Sequence, residues 1–122
     1  MTLLHVLHDI SADLTGKYRN SLIEDIRKQL EGLVPADARN WCEIVTRVET
    51  GIPYRIILRT LEDEKVDLLI MNIHGKDMLD RALLGSTAER VVRAASCPVM
   101  MIPPINSKGR MKARPGGRHV GA

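Results

Sequence analysis

Apolar positions along the chain follow two rhythms in alternation. The run TLLHVL, residues 2–7, has strand length and ends at His8 and Asp9. Leu14, Tyr18, Leu22, Ile26, Leu30 and Leu33 then recur every three or four residues, the stripe of an amphipathic helix, which GLVPAD breaks. WCEIVTRVE alternates apolar with polar residues and predicts a strand with one partly exposed face, near a sheet edge. Pro53 opens a second helix, with Ile56, Ile57 and Leu61 on a common face. VDLLIM is almost wholly apolar, as in a strand covered on both faces. A third helix, STAERVVRAAS, has Ser86 or Thr87 as its cap and Glu89 in its first turn, and CPVMMI is the last strand.

Strand and helix in strict alternation predict an α/β fold, an open parallel sheet with right-handed crossovers. Ligands of such sheets bind beyond the carboxyl ends of the strands. The stretch MNIHGKDMLDRALLGSTAER, residues 71–90, lies at such an end, with Gly75 and Gly85 bracketing nine residues. Glycine permits positive φ or close approach to a ligand. The amides of Ser86, Thr87 and Ala88, the helix dipole and the Ser86 hydroxyl together form an anion site, each such interaction contributing roughly 0.3–1 kcal/mol. The same glycines also serve a plain turn and tight helix packing.

Charge narrows the classes of partner. Of 122 residues 27% are charged and the formal net charge is +3, but Lys108, Arg110, Lys112, Arg114 and Arg118 all fall in the acid-free segment 105–122. Without those five the balance is −2. The segment is rich in Gly and charge and is expected to be a disordered basic tail, leaving residues 1–104 as one domain. Tyr18, Trp41 and Tyr54 are the only aromatic residues, too few for base stacking, so no specific nucleic acid partner is expected. No apolar run approaches membrane-spanning length, and Cys42 and Cys97, in apolar segments without CxxC partners, suit buried thiols of a cytoplasmic protein.

Other chemistry is thinly represented. Gly16-Lys17 lacks the earlier glycine of a phosphate-binding loop, and Tyr18 stands where that loop needs Ser or Thr. His5, His8, His74, Cys42 and Cys97 show no ligand spacing, so no metal site is expected, and His5 is a sheet residue. Ser86 has no identifiable His and acid partners, so no catalytic residue is assigned. Met71, Met78, Met100 and Met101 fill a core.

VDLLIMNIHGKDMLDRALLGSTAERVVRAASCPVMMIPP resembles the C-terminal half of a universal stress protein domain, whose nucleotide-binding members carry G-x-x-G, nine residues, then G-S/T. Here the pattern is Asn72-Ile73-His74-Gly75, nine residues, Gly85-Ser86, with Asn72 in place of the first glycine. LLHVLHD and GIPYRIIL also resemble the family, and the likeness extends over residues 2–104. It implies a three-layer, Rossmann-like fold of the adenine nucleotide alpha hydrolase type and a regulatory module of the stress response. It also implies ATP, weakly held and with Mg2+ accompanying it, at Asn72, His74, Gly75, Gly85, Ser86 and Thr87, with Val6 beside the adenine. Catalysis is not required. The alternatives are a fragment of a nucleotide-hydrolysing or adenylating enzyme and a structural or regulatory appendage of a larger protein.

The family's domain begins with a further strand, bearing an Asp that contacts nucleotide, and a helix, about thirty residues in all. The resemblance therefore implies an N-terminally truncated sheet, since that strand lies between those matching residues 2–7 and 66–71. Three outcomes are open: the two flanking strands pair, the natural chain starts upstream, or another chain fills the slot. In the family the last strand, here residues 97–102, pairs with its twofold mate, which implies a homodimer.

Overall fold

The computed structural model describes residues 1–8, 16–73 and 84–103. The chain falls into two units, Met1–Arg59 and Thr60–Ala122, taken here in turn.

In the first unit β1 (Thr2–His8) and β2 (Val45–Gly51) pair in parallel, from Thr2 opposite Val45 to His8 opposite Gly51. The helix α1 (Gly16–Gly32) connects them, as a parallel pair requires. Two contacts hold it along β2: Arg19 Nη2 donates to Thr50 Oγ1 at 2.6 Å, and Thr46 Oγ1 donates to Glu31 Oε1 at 3.4 Å. Leu22, Ile26 and Leu30 are half-buried as their spacing predicts, but Tyr18 and Leu33 are exposed. A sheet of two strands is too narrow to cover the whole stripe.

The second strand starts later than its alternation predicts. A 3-10 turn, Ala38–Asn40, precedes it and leaves Trp41 85% exposed. It also exposes Cys42, whose thiol donates to Ala38 O at 3.7 Å, and Cys97 is half-exposed, so neither is the buried thiol its apolar surroundings suggest. Gly51 ends β2 with φ 146° and turns the chain into α2 (Pro53–Asp63), whose apolar face holds Ile56, Ile57 and Leu61. That helix closes in a Schellman motif, with Lys65 at φ 49° and the Val66 amide donating to Leu61 O at 3.0 Å.

In the second unit β3 (Leu69–Asn72) and β4 (Val99–Ile102) pair in parallel, Leu69 opposite Val99 and Asn72 opposite Ile102. The helix α3 (Ser86–Ala94) lies between them in sequence and buries Ala88 and Val91, three residues apart on one face. Leu61 and Thr60 are the other buried side chains among the described residues. Met71 and Met101 are half-buried on one face of this sheet. On the other, Ile70 and its register partner Met100 are 57% and 48% exposed. The two-sided burial expected of VDLLIM is thus absent, and Met100 is not core filler. Met78 and the tail lie outside the described residues.

The strands therefore make two parallel pairs where the sequence predicts one sheet. The first of the three outcomes for the flanking strands does not occur: among the described residues β1 pairs only with β2, and β3 only with β4. Each pair encloses its own crossover helix, whereas α2 joins strands that are not neighbours.

Candidate functional site

The loop after β3 is closed at its base by backbone hydrogen bonds. Ile73 donates its amide to Ile102 O at 3.1 Å, which extends the β3–β4 ladder one residue past Asn72. Its carbonyl accepts the Gly85 amide at 3.0 Å. Through that bond the residue following β3 touches the residue preceding α3, so Asn72, Gly85, Ser86 and Thr87 are brought to one place. His74 and Gly75 lie outside the described residues. Val6 belongs to the first unit, half-buried on β1 opposite Glu49.

Gly85 is the N-cap of α3, with φ −61° and ψ 152° and no side-chain capping bond. Ser86 and Thr87 are thus the first helical residues and not caps. The φ of Gly85 is open to any residue, so glycine is not required here for a left-handed turn. Gly85 is buried, however, and a side chain would need space at the mouth of the helix.

The first intrahelical bond runs from the Glu89 amide to Gly85 O at 2.9 Å, and the amides of Ser86, Thr87 and Ala88 precede it. Ser86 is exposed and Thr87 half-buried. Glu89 is the only acid of the first turn, and its Oε1 accepts from Arg93 Nη2 at 2.7 Å, which draws the carboxylate along the helix, away from its N-terminus. What remains is a helix end with amides, a hydroxyl and positive dipole, suited to an anion. Asn72, in place of a glycine, is exposed at the end of β3.

The Ile73 carbonyl, which ties the loop, is the participant that sequence reading misses. A backbone group leaves no side-chain signature. Among the described residues no group of three or more His, Cys, Asp or Glu is arranged to hold a metal ion, and no helix is long and apolar enough to cross a membrane.

Comparison with known proteins places this geometry in context. The model of the universal stress protein family matches residues 1–103. The universal stress protein MJ0577 of Methanocaldococcus jannaschii is 31% identical over 72% of this chain and 62% of its own length. The universal stress protein MJ0531 of the same organism is 42% identical over 53% of this chain and 39% of its own. The chain thus spans less than two thirds of the length of these relatives. Among solved structures, that of protein MJ0577 superposes with a TM-score of 0.75 at 30% identity, covering 87% of this chain and 76% of that one. The universal stress protein UspA from Lactobacillus plantarum, at 22% identity and a TM-score of 0.55, shares the fold. With its alternating elements and parallel pairing, the chain has a Rossmann-like α/β fold.

Proposed function

The chain belongs to the universal stress protein family, and from that membership and the head of α3 we propose a cytoplasmic regulatory module that holds an adenine nucleotide weakly and performs no catalysis on it. The observation that carries the reading is the Gly85 amide bond to Ile73 O, which sets the α3 N-terminus beside the end of β3. Phosphate oxygens would meet the amides of Ser86 and Thr87 and the Ser86 hydroxyl, with His74 and Gly75 contributing from the loop. Val6 would face the base, and Mg2+ would arrive with the phosphates. The free thiols of Cys42 and Cys97 support a reducing compartment.

Weak binding follows from magnitudes. Contacts to a helix N-terminus contribute about 0.3–1 kcal/mol each. Asn72 adds bulk where the family's nucleotide-binding members have glycine, and the family's acidic contact has no matched position in this sequence. Titration calorimetry with MgATP should give a dissociation constant above roughly 100 µM, with binding abolished in Gly85→Val. Micromolar affinity would overturn the impairment. Absence of binding at millimolar nucleotide would overturn the ligand and leave a nucleotide-free structural role.

A further inference from the structure

The free edge of β1 is unlike the other strand edges. Its seven residues carry neither charge nor proline, and Leu3, Leu4, Val6 and Leu7 place apolar side chains on both faces. Edge strands ordinarily carry protection. Its neighbour β2 has it, the Arg47–Glu49 ion pair at 2.7 Å, and β4 is four residues set between Pro98 and Pro103. No described residue from Met1 to Arg59 is fully buried, β1 included. Two strands with one helix over β2 leave β1 an unfinished interior strand.

The geometry of the open edge can be derived. The Val45 amide donates to Met1 O at 2.9 Å, so in the parallel ladder the odd residues of β1 turn their backbone groups to β2. Leu4 and Val6 turn theirs outward, where no strand among the described residues pairs. The sequence TLLHVLH has the same polarity read in either direction about His5. In an antiparallel pair centred there, Leu4 meets Val6, Leu3 meets Leu7, Thr2 meets His8, and His5 meets its own copy. Leu4 and Val6 then form hydrogen-bonded pairs with the backbone groups that face outward, and His5 falls at a non-hydrogen-bonded position, where side chains lie closest.

We propose that β1 is a homotypic docking edge, through which two copies of the chain join antiparallel about a twofold axis at His5. The product is a four-stranded sheet ordered β2, β1, β1, β2. The self-complementary pattern selects a second copy over a foreign strand, since each apolar residue finds an apolar partner without any other sequence. The Arg19–Thr50 and Thr46–Glu31 contacts place α1 over β2 on the face that carries His5, and His5 itself is exposed, so the helices of the two copies stand apart across the central strands. The β2 residues flanking His5 on that face, Thr46, Val48 and Thr50, are uncharged, and the charges facing it from α1 are Arg19 and Glu31, bonded at opposite ends of β2. This inference is independent of nucleotide binding.

Charge exchange at the axis tests it. Sedimentation equilibrium of the full chain at tens of micromolar should show a dimer. His5→Lys and His5→Glu alone should each weaken it about tenfold or more, because like charges then face each other directly. Mixed in equal amounts, the two variants should recover the dimer as a heterodimer, while Val99→Lys on β4 leaves it unchanged. A monomeric native chain, a dimer lost in Val99→Lys but indifferent to both His5 variants, or failure of the mixture to recover would each overturn the proposal.

Discussion

Gly51 and Lys65 both hold positive φ, one with the residue suited to it and one without. A Cβ added at Gly51 would meet Ile56 Cδ1 at 3.3 Å in a backbone conformation of φ 146°. Gly51→Ala should therefore lose about 1–3 kcal/mol of stability in urea denaturation. Lys65, at φ 49° in the Schellman turn, is strained in the opposite sense. Lys65→Gly should gain stability, up to about 1 kcal/mol, because glycine adopts the left-handed region without steric cost. An unchanged or lowered denaturation midpoint for this variant would count against the assigned turn. Gly51 follows a strand and precedes proline, so its turn is visible in the sequence. The Lys65 turn is not, since lysine carries no mark of a left-handed position.

At the scale of the element, α3 shows how a short helix is held. Nine residues are too few to be helical alone in water, so packing must supply the stability. Val91 is fully buried, and Val91→Ala should cost about 2 kcal/mol by the same denaturation measurement. The Glu89–Arg93 pair, exposed at 51% and 76%, is the contrasting case. Arg93→Ala should cost less than about 0.5 kcal/mol, screened by salt. It also frees the Glu89 carboxylate in the first turn, so it should weaken MgATP binding further without unfolding the protein. The buried face of α3 and its first acidic residue are legible in the spacing of STAERVVRA. Its cap is misread, because Ser and Thr are common caps and only the backbone shows that Gly85 takes that position.

For the whole molecule, the net charge describes the tail more than the domain. Removing residues 106–122 takes away all five basic charges of the acid-free segment. The truncated chain should keep its melting temperature within about a degree or two and lose its salt-sensitive retention on an anionic resin. A fall of many degrees would show that the segment contributes to folded stability.

The sequence by itself determined the kind and order of the elements, because periodicity is local: β1 follows from TLLHVL, α2 from Pro53 and the face of Ile56, Ile57 and Leu61, and the loop ends from Gly75 and Gly85. It also carried the family, through the spacing from Asn72 to Ser86. Tertiary structure alone decided which strands pair, because nothing in the apolar run of β1 or β3 names its neighbour. It decided the exposure of Ile70, Met100 and Cys42 as well, since an apolar residue is buried only if another element covers it. The bond between Gly85 and Ile73 belongs to the same class: a backbone amide and carbonyl are present at nearly every residue, and only the fold selects the two that meet.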